Sequence, residues 1–263
     1  MAKQSFGKLY LQSCRRANDW RLIVYFALLI LLLYAPIQGA NVAFRHFFPE
    51  AHGRWFGIGL YLCWSLLYAL FSVAGMRGSM GEKTNIRCDF NEGLARWKSA
   101  WLLLPSIWLF AVLITIPYIA PGSASNFALL TLALAVLGVA VVLGIAFLCA
   151  AIAAAPPGSG MKTLCRSAFR ALRNGWGRGL CALLLAMLGV FLGAVADAFL
   201  NWLLSELLTR IVGYTVLSDD MYIPAFWFFA IAWCSGFYCA FFARLYAEAV
   251  PETAVSPGKD ERI

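Results

Sequence analysis

The sequence predicts an all-α membrane protein: a bundle of six transmembrane helices with an amphipathic surface helix before spans 1, 3 and 5. Three observations lead there. Several apolar runs reach the roughly 20 residues a helix needs to cross a bilayer. A basic segment carrying aromatic residues precedes each odd-numbered run. Of the 21 Lys and Arg, 18 fall in segments that this arrangement places on one side of the membrane, as cytoplasmic loops require.

Composition sets the class. Hydrophobic residues make up 62% of the 263-residue chain, charged residues 13%, and the mean hydropathy is +0.75. Soluble proteins carry roughly 25% charged residues, so a soluble fold is excluded. The net charge of +8 reflects cationic cytoplasmic loops and implies no nucleic acid. None of the eight cysteines falls in a predicted external loop, and no Cys-x-x-Cys occurs. Disulfides and a structural zinc site are therefore not expected.

Residues 1–21 form a cytoplasmic amphipathic segment in which Phe6, Leu9, Ser13, Ala17 and Trp20 share a helical face. The transmembrane domain covers 22–246. Its first span, about 22–43, is too long for a signal-peptide core and is read as retained, with Pro36 as a kink. Span 2 covers about 55–76 and ends at Arg77 before the loop signal Gly78-Ser79-Met80-Gly81. A second basic segment, 82–101, places Phe90, Leu94, Trp97 and Trp101 on one face. Span 3 (about 102–120) and span 4 (about 127–155) form a hairpin, stopped by Pro156-Pro157-Gly158.

The third basic segment, 161–176, has the clearest pattern. Met161, Cys165, Phe169, Leu172 and Trp176 make one stripe, and Lys162, Arg166, Arg170 and Arg173 occupy other faces. Gly175, Gly177 and Gly179 read as a flexible joint between a helix on the membrane surface and span 5, about 179–200. Residues 201–217 are expected to be helical and interfacial. Span 6 covers about 223–243, and 247–263 is a polar, disordered cytoplasmic tail. Cys88 and Arg96 recur 77 residues later as Cys165 and Arg173, and Trp20 lies 77 before Trp97. Three units, each a surface helix plus a hairpin, would be parallel repeats about an axis along the membrane normal.

Candidate polar sites are few. Asp197 follows Gly189 and Gly193 at steps of four, and Asn201 continues the line. The two glycines mark a helix-packing face. Asp197 is either part of a polar pathway or, as its depth suggests, solvated at the outer interface. Tyr61, Ser65, Tyr68 and Ser72 form a polar line along span 2, suited to interhelical hydrogen bonds or to a substrate path. His46, Glu50 and His52 are weak candidates for a metal site, and no cofactor is expected. No phosphate-loop, nucleophile-elbow or zinc-protease signature occurs, and no motif is specific to a family. The expected function is a non-catalytic integral membrane protein, either a permease-like unit or a subunit of a membrane assembly. The alternative is an intramembrane enzyme or accessory factor acting on lipid or a lipid-linked substrate. Its partners would be membrane lipids, with anionic lipid at the cytoplasmic face, and other proteins or a second copy of the chain. The expected location is a bacterial inner membrane, with both termini cytoplasmic.

Overall fold

A computed structural model describes residues 5–31, 53–80, 86–119, 124–212 and 225–250, and among these every regular element is helical. In order they are α1 (Phe6–Ala17), α2 (from Trp20, described to Leu31), α3 (Gly53–Met80), α4 (Ile86–Ala95) and α5 (Trp97–Ala100). After a 3₁₀ turn at Trp101–Leu103 come α6 (Leu104–Ile119), α7 (Ala124–Ala154), α8 (Met161–Val212) and α9 (Ala225–Ala249). Among the described residues, three stretches are long and apolar enough to cross a bilayer: Thr131–Ala154, Met161–Leu207 and Phe226–Ala249. His46, Glu50, His52, Pro36 and most of the expected tail lie outside the described residues.

The centre of the molecule is a triangle of α3, α7 and α9, each packed against the other two. Around it the pairing runs in a cycle. α4 packs on α3, the first part of α8 packs on α7, and α1 closes the ring on α9. Phe6 and Tyr10 of α1 meet Phe241 and Phe237 of α9 at ring-centroid distances of 5.8 and 5.3 Å. The face of α1 read from the sequence is the one that packs, with Leu9, Ser13 and Ala17 buried, while Trp20 beyond it is exposed. α2 fills the corner between α3 and α9. Its Tyr25 hydroxyl donates to the Phe71 carbonyl at 3.1 Å, and Leu22 lies against Gly236.

The expected joint at residues 175–179 does not exist, because α8 is one helix of 52 residues, about 78 Å long. Three glycines would ordinarily cost such a helix about 1 kcal/mol each. Two of them are held by packing. A Cβ on Gly175 would stand 3.2 Å from Leu245 and Phe147, and one on Gly179 would stand 3.1 Å from Phe242. The absent side chains let α7 and α9 approach, and that contact offsets the conformational cost. Residues 201–212, the described part of the stretch 201–217 expected to be helical, continue the rod.

The packed face of α8 is also not the stripe of large apolar residues. Leu164, Ala168, Ala171 and Gly175 are buried, while Met161, Cys165, Phe169 and Trp176 are exposed. The exposed stripe lies between this small-residue face and the cations Lys162, Arg166, Arg170 and Arg173, which are also exposed. In a membrane, large apolar side chains gain little by leaving lipid, and small ones allow close backbone approach.

Further along, α8 and α9 run antiparallel in tight contact. A Cβ on Gly193 would stand 2.5 Å from the Ala230 Cβ, and one on Gly189 would stand 3.0 Å from Cys234 Sγ. Around Gly177, also in α8, a Cβ would meet nothing within 4 Å. Gly193→Ala is therefore expected to destabilise the protein by about 1–3 kcal/mol. Gly177→Ala should stabilise it by up to about 1 kcal/mol. Thermal unfolding of the two variants in detergent should shift in opposite directions.

Candidate functional site

The most informative polar group is Asp197. It is fully buried, with no exposed surface, where the depth argument expects solvation. The reason is α9. The first amides of a helix have no partner within it, and the Asp197 carboxylate accepts two of them. Phe226 N–H donates to Oδ1 at 2.7 Å and Trp227 N–H to Oδ2 at 2.5 Å. An acid at this position also faces the positive end of the α9 dipole. Gly193, one turn earlier, lets the start of α9 come close, since a Cβ there would also meet the Phe226 carbonyl at 3.2 Å. Asn201 joins the cluster by donating its side-chain amide to the Asp197 carbonyl oxygen at 2.8 Å.

The polar line on α3 divides. Ser65 is buried, Ser72 is half-buried and Tyr68 is exposed, with a hydrogen bond joining Tyr68 to Ser72 one turn on. Tyr61 lies on α3, but its side chain is outside the described ones. Elsewhere in the bundle, hydroxyls reach carbonyls. Tyr238 donates to Val142 O at 3.2 Å, and Ser13 and Ser79 donate to the carbonyls four residues earlier, each at 2.8 Å. Among the described residues, no group of three His, Cys, Asp or Glu could hold a metal ion.

A second charged cluster, not anticipated from the sequence, lies where the C-terminal ends of α3 and α7 meet. Pro156 and Pro157 follow α7 and carry no N–H. The carbonyls four residues before them, Ile152 O and Ala153 O, therefore lose their usual helical donors. Arginines replace these: Arg96 Nε donates to Ile152 O at 3.2 Å and Arg77 Nη1 to Ala153 O at 3.5 Å. Arg96 Nη2 adds a bond to Ala155 O at 3.2 Å. Glu92 bridges the two guanidinium groups, 2.6 Å from Arg77 Nε and 3.4 Å from Arg96 Nη1. Burial pulls the Arg96 guanidinium below its usual value, Arg77 pushes the same way, and Glu92 opposes both.

The other two helix ends are met similarly. Arg16 of α1 donates to Gly78 O in the last turn of α3 at 2.8 Å and pairs with Asp19 at 3.1 Å. Arg178 of α8 pairs with Glu248 in the last turn of α9 at 2.8 Å. The sequence signal was partial. The two prolines after α7 and the Glu92/Arg96 spacing of four are visible in it, but the partners lie 56 to 76 residues away.

These contacts define what Asp197 does for the fold. Asp197→Ala leaves two amides at the part-buried start of α9 without their acceptor and should destabilise the protein by about 1–3 kcal/mol, with faster hydrogen exchange at Phe226 and Trp227. Asp197→Asn keeps one acceptor oxygen and should lie between Ala and the native residue in both measurements. No protein-family model, curated protein or solved structure matches this chain.

Proposed function

We propose that this is a six-span, multi-pass protein of a bacterial inner membrane, with both termini cytoplasmic, acting without catalysis as a subunit of a membrane assembly. The observation that carries the reading is α8. It is more than twice as long as the roughly 30 Å hydrocarbon core is thick. It therefore reaches beyond the bilayer while exposing apolar side chains such as Leu188, Phe191, Phe199 and Trp202 along its length. Such a rod offers a surface to another protein or to a second copy of the chain. The acids best placed for chemistry are already engaged, Asp197 at the start of α9 and Glu92 between two arginines. This supports a structural use of charge. A permease-like role remains the second reading, favoured by the Tyr68–Ser72 pair on α3.

The cytoplasmic face is proposed to lie against anionic lipid. Trp20, Trp97 and Trp176 are all exposed near the ends of the three basic segments. Cations stand over two of the rings, Arg21 at 5.8 Å from Trp20 and Lys98 at 5.9 Å from Trp97. Exposed tryptophans with neighbouring cations suit the headgroup level of a bilayer.

Native mass spectrometry of the protein extracted in mild detergent should show a stoichiometric partner or a second copy, with anionic lipid retained. A monomer carrying only neutral lipid would count against the assembly reading. Orientation is checked with a membrane-impermeant thiol reagent. Cys88 and Cys165 are exposed and should be labelled in inside-out vesicles but not in intact cells. Cys14 should react more slowly at neutral pH. Burial pushes its thiol up, against a hydrogen bond with Tyr10, so less thiolate is present until the pH rises.

A further inference from the structure

The arginine cluster at the end of α7 also forms the wall of a cavity. About 590 Å³ in volume, it opens at the surface and is lined by Arg77, Arg87, Cys88, Asn91, Glu92 and Arg96, with Pro157 at its edge. Three guanidinium groups face one carboxylate. The ends of α3 and α7 add about half a negative charge each, so an excess of positive charge remains among the lining residues. Arg96 and Arg77 are committed to backbone carbonyls and to Glu92. Arg87 is exposed and, among the described residues, makes no ion pair. Exposed apolar side chains stand on the turns that follow: Leu94, Trp97 and Trp101. A cationic cavity, with exposed apolar side chains further along the same segment, suits a molecule with an anionic head and greasy chains.

We propose that this cavity binds the phosphate group of an anionic phospholipid headgroup from the cytoplasmic leaflet. Arg87 supplies a guanidinium with no ion pair among the described residues, Asn91 a neutral amide, and Trp97 and Leu94 would lie against the acyl region. The assignment rests on the membrane orientation proposed above. Cys88 provides the readout, because a headgroup in the cavity would cover its thiol.

The test uses the full chain in nanodiscs and an uncharged maleimide, following the alkylation rate of Cys88. Nanodiscs of phosphatidylcholine alone are compared with nanodiscs containing increasing phosphatidylglycerol, and with phosphatidylcholine nanodiscs in inorganic phosphate. Phosphatidylglycerol should slow alkylation. In Arg87→Gln, half-protection should require about fivefold more of it, the loss expected for one cation near an anionic surface. Each variant is referred to its own rate in phosphatidylcholine, which removes any change in intrinsic thiol reactivity. Arg170→Gln, which removes the same charge from α8, should leave protection unchanged. An unresponsive Cys88, or equal protection in Arg87→Gln, would overturn the site. Protection by inorganic phosphate but not by phosphatidylglycerol would overturn the lipid as its source. Labelling of Cys88 from outside intact cells would instead overturn the orientation, independently of the nanodisc result.

Discussion

A helix has four amides at its start and four carbonyls at its end with no partner of its own, and leaving such groups buried and unpaired costs about 1–3 kcal/mol each. That constraint organises this bundle. Asp197 closes the start of α9, two arginines replace the donors that Pro156 and Pro157 cannot give to α7, and Arg16 reaches the last turn of α3. In each case the charged side chain belongs to a different helix from the one it closes. End closure and helix–helix docking are therefore one event, and a charge that would be costly in lipid becomes a means of fixing register.

The same arrangement answers an electrostatic difficulty. The C-terminal ends of α3, α7 and α9 come together at one end of the molecule, as Arg77 on α3 reaching Ala153 on α7 shows. Each end carries about half a negative charge, so three aligned helices would repel there. Arg16, Arg77, Arg96 and Arg178 sit among them. Cations counted from the sequence as a sign of orientation thus also neutralise the converging helix ends. α1 takes part through Arg16 and closes the cycle of packing on α9, which makes the N-terminal segment part of the bundle.

Where helices occur was largely legible, because bilayer-length apolar runs and proline stops are local properties of the chain. What joins them was not. The continuity of α8 was missed because Gly175, Gly177 and Gly179 locally favour a break, whereas Phe147, Leu245 and Phe242, far away in sequence, hold the helix together there. Of the stripe Met161, Cys165, Phe169, Leu172 and Trp176, four residues are exposed and Leu172 is half-buried; periodicity does not say what a face meets. The neighbouring small residues do the packing, and they stand out only when close backbone approach is considered. Asp197 was singled out by its glycine spacing. Its depth along α8 suggested water, and its burial follows from α9, whose start is set by a different part of the chain.

Between Arg178 and Asp197, α8 rises about 28 Å, and between Phe226 and Glu248, α9 rises about 33 Å. Arg178 meets Glu248 at one end of this antiparallel pair, and Asp197 meets the Phe226 and Trp227 amides at the other. The intervening contact is uncharged, with Gly179, Ala186, Gly189 and Gly193 of α8 against Phe242, Cys234 and Ala230 of α9. The two polar clamps are thus separated by about the roughly 30 Å of a bilayer's hydrocarbon core. Sliding α9 along α8 by one turn would part both clamps at once, Arg178 from Glu248 and Asp197 from the Phe226 and Trp227 amides. The spacing of the two clamps is thus compatible with a helix pair that crosses a bilayer, and the glycine stripe between them allows the two backbones to approach.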